Sequence, residues 1–175
     1  MLIKVESSEF RFPGDEDRTK WSSPFTFALI ADPQLGLFKN NNSWSEELQQ
    51  AKECMEAAAA HEPQPAFIFV LGDLVHAPVP AHNTGSNAAA IRTVRDEQAR
   101  DLKEALDKPS KEVPVLVIPG NHDVGERPTL ASIEDYENIW GKANFSFWFG
   151  GVKFVAANSS LFYNDSASPQ AAEVI

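Results

Sequence analysis

The sequence holds a single cysteine, Cys54, so no disulfide can form within the chain, and this fits a reducing compartment. Basic residues are scarce: 15 Lys and Arg stand against 25 Asp and Glu, for a net charge of −10. Nucleic acid and anionic membrane surfaces both demand a basic footprint, so neither is expected as a partner. No apolar run approaches the ~20 residues needed to span a bilayer, and the opening MLIKVESSEF lacks the apolar core of a signal peptide. These absences point to a cytoplasmic protein. What is present is an ordinary globular composition, 43% apolar and 23% charged over 175 residues, enough for one domain with a sizeable core.

Residues 1–24 are polar and mixed in charge and read as an irregular N-terminal arm, pinned by Phe10, Phe12 and Trp21. The domain proper is then expected over 25–175. FTFALIA (25–31) is almost wholly apolar, as expected of a strand buried on both faces. Residues 43–60 predict a helix: Ser43 and Glu46 have capping-box spacing, and Trp44, Leu48, Ala51, Met55 and Ala58 mark one apolar face. Cys54 on that helix reads as buried packing. A second strand follows at 66–71, then a Pro/Gly/Asn-rich loop at 77–87 that reads as a site rim. A helix over 88–107, a strand over 113–118 and a short helix over 130–139 come next. FSFWF and VKFVAA, separated by Gly150-Gly151, predict a β-hairpin on a two-residue turn. The fold class is α/β, with a βαβαβ start on a parallel sheet and a following hairpin.

The strand ends carry the chemistry. Asp32 follows the first strand, Asp73 the second, and Asn121-His122-Asp123 the third. In open parallel sheets, ligands bind outside the carboxyl ends of the strands, so these residues are expected on one rim. One Asp or Asn after a strand is ordinarily a turn or cap residue. Three in corresponding positions, with His122 beside the last, point to a site for hard divalent cations, which favour oxygen donors.

ADPQ (31–34), GDLVHA (72–77) and GNHD (120–123) resemble the motif series of the calcineurin-like metallophosphoesterases: D-x-H, then G-D-x-x-[DNH], then G-N-H-[DE]. The similarity extends through WGKANFSFWFGGVKF and NSSLFYN, to about Asn164. The resemblance implies an α/β/β/α sandwich and metal-dependent hydrolysis of phosphomonoesters, with phosphorylated serine or threonine of proteins as the substrate class. It implies two divalent cations, Mn, Fe, Zn or Mg. Asp73 would bridge them, Asp32 would bind the first and Asn121 the second. His122 would protonate the leaving alcohol or stabilise transition-state charge.

Two departures from the family pattern bear on these roles. Gln34 stands where most of the family has the His of D-x-H, so a neutral amide oxygen replaces an imidazole as candidate ligand. His76, three residues after Asp73, could orient His122 or a substrate oxygen, or be an ordinary loop histidine; Asp123 reads as support for the turn. The family completes its site with a lone His and a G-H-x-H, and the last fifteen residues here contain no His. The chain is therefore expected to be the N-terminal portion of a metallophosphoesterase, its dinuclear site incomplete. The alternatives are a catalytically inactive binding module or decoy, and a small-molecule phosphodiesterase or nucleotidase. Arg92, Arg95 and Arg127 are the nearest cationic candidates and read as solvated; His61 and His82 read as surface histidines.

Overall fold

The computed structural model describes residues 1–12, 18–21, 23–82, 85–107 and 113–163. Residues 13–17 and 22 of the arm, 83 and 84 of the expected rim loop, and the histidine-free tail from 164 lie outside the described residues.

Where it is described, the arm is mostly irregular but is tied to both sheets. Ile3 N–H donates to Val115 O and Val115 N–H to Met1 O, both at 2.9 Å, so the chain begins beside a core strand. Glu9–Phe10 then forms β1 and pairs in parallel with a strand of a different sheet. Phe12 is buried, whereas Trp21 is 63% exposed and only reaches toward Phe25. Backbone hydrogen bonds together with Phe10 and Phe12 fasten this segment.

The first sheet consists of β2 (Ala28–Ala31), β3 (Ile68–Leu71) and β4 (Val115–Ile118), parallel and in that order. The crossovers are α1 (Ser45–Ala59) and α2 (Ala88–Asp107). After β4 come a one-turn helix, α3 (Asn121–Val124), and α4 (Leu130–Trp140). β5 (Phe145–Phe149) and β6 (Val152–Ala156) form the expected hairpin, and with β1 they make the second sheet, in the order β1-β5-β6.

Alternation along the strands explains the layers. Ile68, Val70, Val115 and Val117 pack with Met55, Leu102, Leu106, Val124 and Ile133 from the four helices. Phe67, Phe69 and Leu116 pack with Phe145 and Phe147 of the second sheet. The inter-sheet layer is dominated by edge-to-face phenylalanine pairs, such as Phe12–Phe147 at 5.4 Å and Phe67–Phe154 at 5.1 Å. The order is helices, sheet, sheet, in keeping with the expected α/β class. Among the described residues no helix remains for the outer face of the second sheet.

Three local expectations need correction. The 25–31 run is not buried on both faces: β2 lies at the sheet edge, and Leu29 is 57% exposed. The capping box is not formed. α1 begins one turn position later, Trp44 supplies no side-chain cap, and Glu46 instead pairs with Lys39 at 3.4 Å. Cys54 is exposed; at 100° per residue it lies about 60° from Ala51, on the flank of the buried stripe.

Tyr136 is fully buried, and its hydroxyl has no hydrogen-bond partner among the described residues. Burial raises its pKa well above the ordinary tyrosine value, with the Asp123 and Glu137 charges adding to the effect. An unpaired buried hydroxyl costs about 1 kcal/mol or more. Tyr136→Phe is therefore expected to raise the urea midpoint; a clearly lower midpoint would mean that the hydroxyl is hydrogen-bonded.

Candidate metal centre

The three strand-end segments are fastened to each other past the ends of the strands. Asp32 N–H donates to Gly72 O, Gln34 N–H to Asp73 O and Leu35 N–H to Leu74 O, at 3.3, 2.9 and 3.3 Å. The segment after β2 is thereby zipped to the segment after β3. The third segment is tied to the second by side chains: Asp73 Oδ1 accepts the His122 N–H at 3.0 Å, and both Asp123 oxygens accept the Leu74 N–H at 3.1 Å. Asp123 Oδ2 also accepts the Gly120 N–H at 2.8 Å, closing the turn that opens α3.

Asp32, Gln34 and Asp73 all have positive φ, at 54°, 35° and 48°. Such a backbone is costly for non-glycine residues, and it clusters where side chains must be aimed. Gly72 and Gly120 permit the close approach of the two loops. A Cβ on Gly72 would stand 2.6 Å from Gly120 Cα, and one on Gly120 would collide with Asp73 Oδ1. The Asp73 carboxylate thus occupies space that any other residue at 120 would fill.

Asp32, Asp73 and Asn121 line one open cleft of about 440 Å³, together with Gly120, Ser159 and Ser160. Gln34 and His122 are not among the residues that line it. The His122 ring stacks on His76 with centroids 5.1 Å apart, and Gln34 Nε2 lies 3.5 Å from His76 Nδ1. Burial, then repulsion by the neighbouring His122, holds the His76 pKa below the ordinary histidine value. None of the described residues of the 77–87 loop lines the cleft; Ala77, Val79 and Pro80 are buried instead.

The motif spacing therefore gathers two carboxylates and one amide, with a histidine pair alongside. Among the described residues no three His, Cys, Asp or Glu side chains form a group able to hold a metal ion. The donors facing the cleft are all hard oxygens, a chemistry that suits Mg²⁺ or Mn²⁺ better than softer ions.

Residues 25–168 match the family model of the calcineurin-like phosphoesterases. The chain belongs to this family. It is similar to serine/threonine-protein phosphatase CPPED1 of Danio rerio, 35% identical over 182 residues, covering 99% of this chain and 55% of that protein. The human protein of the same name is 34% identical over 167 residues, covering 90% and 49%, and that of Bos taurus is 35% identical, covering 90% and 50%. The chain thus spans about half the length of the curated relatives it matches. No solved structure matches it.

Among the described residues three charged groups of this phosphoesterase domain are buried, and the burial of two of them, Glu47 and Arg95, is not expected from the sequence. Asp123 is 1% exposed, and burial, partly opposed by its N–H donors and by Arg95, raises its pKa to about 6. Glu47 is 4% exposed, accepts the Phe38 N–H at 2.7 Å through Oε1, and faces a mainly apolar hollow that it shares with Asp32 and Met55. Arg95, expected to be solvated, is 5% exposed. Arg92 fits the expectation better: half-exposed, it pairs with Asp135 at 3.3 Å. A polar residue within an apolar helical stripe was the available signal for Glu47; for Arg95 there was none beyond its position facing Gln98 and Leu102.

Proposed function

We propose that the chain carries the cation-binding half of a phosphoester hydrolase that acts on phosphomonoesters. Its similarity to proteins described as serine/threonine-protein phosphatases supports phosphorylated serine or threonine as the substrate class. The observation that carries this reading is the convergence of Asp32, Asp73 and Asn121 on one cleft at the ends of β2, β3 and β4. These three residues would supply part of the ligand set for two divalent cations, a site incomplete in this chain, with Gln34 beside His76 rather than on the cleft. When bound, such cations neutralise phosphoryl charge and activate water near neutral pH. A protein of charge −10 needs that compensation to accept a phosphate at an acidic cleft.

In this reading His122, which stands alongside the cleft and not in its lining, is the proton donor to the leaving oxygen. Its main-chain N–H is held by Asp73, and its ring is held by stacking on His76. Positioning of this kind is a main source of rate in phosphoryl transfer. His122→Ala keeps the backbone N–H that Asp73 accepts. It is expected to cut hydrolysis on the order of a hundredfold or more and to leave Mn²⁺ affinity nearly unchanged. An active His122→Ala chain would remove the histidine from the chemistry.

The test of the function itself is hydrolysis of p-nitrophenyl phosphate by purified residues 1–175, with and without Mn²⁺. Mn²⁺-dependent turnover supports the hydrolase. A folded chain without turnover favours the second reading, a non-catalytic binding module. Two observations point to that reading: the cleft is lined by two carboxylates and no imidazole, and Leu29 and Val155 leave apolar strand edges exposed, Val155 by 72%.

A further inference from the structure

We propose that Arg95 is a positioning residue, whose guanidinium fixes the turn bearing Asn121 and His122 relative to the loop bearing Asp73. This inference rests on the phosphoesterase reading of the cleft. Arg95 lies on the buried side of α2, where one Nη donates to Ala77 O and also reaches His122 O at 3.2 Å. The other Nη donates to Asp123 O at 2.8 Å. His122 and Asp123 belong to α3, a helix of a single turn, and their carbonyls have no following turn to receive. The guanidinium supplies the missing donors and places a positive charge at that helix end.

The same turn of α2 also fixes the other side of the junction. Gln98 Oε1 accepts the Ala77 N–H at 3.0 Å, and its Nε2 donates to Asn41 Oδ1 at 2.9 Å. Both main-chain polar groups of Ala77 are therefore held by α2, one by each side chain. Arg95 alone continues across to the 120–123 turn. Burying a guanidinium is costly, and an apolar side chain of similar size would pack at lower cost. The burial is explained by what the planar fork reaches: three carbonyls on two loops, which a lysine ammonium cannot join in the same geometry.

The experiment uses the full 175-residue chain with Arg95→Lys and Arg95→Ala. In metal-free protein, the imidazole NMR signals of His122 and His76 are expected to move in both variants, while that of exposed His61 stays in place. Mn²⁺ affinity, read from the electron paramagnetic resonance of free Mn²⁺, is expected to fall about tenfold in Arg95→Lys, with circular dichroism and melting still cooperative. Added methylguanidinium is expected to return the His122 signal of Arg95→Ala toward its wild-type position. A folded Arg95→Lys chain with unmoved His122 signals would overturn the proposal. So would unfolding of both variants, which would place Arg95 among the residues needed for folding. If the wild-type chain binds no Mn²⁺, the cation reading fails, and the imidazole signals still decide the role of Arg95.

Discussion

Asp73→Asn is expected to reduce Mn²⁺-dependent hydrolysis by on the order of a hundredfold or more, with little change in thermal stability. The substitution keeps the shape of the side chain, and an amide Oδ1 can still accept the His122 N–H that Asp73 accepts at 3.0 Å. Only the charge is lost. Asp73 lies at φ 48°, a backbone region that asparagine tolerates better than most residues, so the loop should stay in place. The comparison is therefore between two nearly identical surfaces, one with half the carboxylate charge of the cleft. Calorimetric titration with Mn²⁺ and the p-nitrophenyl phosphate assay, run on both chains, read the two consequences separately. Equal activity in the two proteins would remove Asp73 from the site and with it the cation-bridging role.

Gly72→Ala is expected to be among the most destabilising single substitutions in the chain. Its Cβ would stand 2.6 Å from both Gly120 Cα and Gly120 N, and backbone atoms cannot rotate away as a side-chain tip can. To this overlap, worth about 1–3 kcal/mol, is added the cost of a Cβ at φ 71°, roughly 1–2 kcal/mol. A total near 3 kcal/mol is a large share of the stability of an ordinary domain, about 5–15 kcal/mol. Urea denaturation should show a midpoint lower by about 1–2 M. Gly85→Ala is the control, since nothing lies within 4 Å of the added Cβ, and it should stay within about 0.5 kcal/mol of wild type. A Gly72→Ala chain as stable as the control would mean that the two loops are not in contact.

The helical and strand segments were legible because their signals are local. The apolar stripe through Ala51 and Met55 predicts α1, and α2 spans the expected 88–107. The hairpin falls on either side of Gly150-Gly151 as the turn residues require. The strand-end cleft was legible for a related reason: a buried parallel strand must end on a rim, so Asp32, Asp73 and Asn121 are expected together.

Burial was where the reading failed, and the failures share a cause. FTFALIA reads the same whether its strand is central or at an edge; the order β2-β3-β4 made it an edge and left Leu29 exposed. The 1–24 segment carries no strand pattern, yet it pairs with both sheets, because β4 and β5 offered open backbone groups. Arg95 looks like any helix-surface arginine until the one-turn helix α3 presents the carbonyls to which it donates.

By itself, then, the sequence determined the elements, the rim residues and the cation-favouring oxygen chemistry, since each follows from neighbours within a few positions. Which strand lies at an edge, which charge is buried, and how Gln34 and His122 gather at His76 while Asp32, Asp73 and Asn121 line the cleft were decided by the tertiary structure alone. Those properties depend on atoms brought together from different elements, as in the contact of Arg95 with His122, 27 residues apart, and of Asp73 with His122, 49 apart. No periodicity within one segment encodes such a contact; it exists only once the sheets have packed.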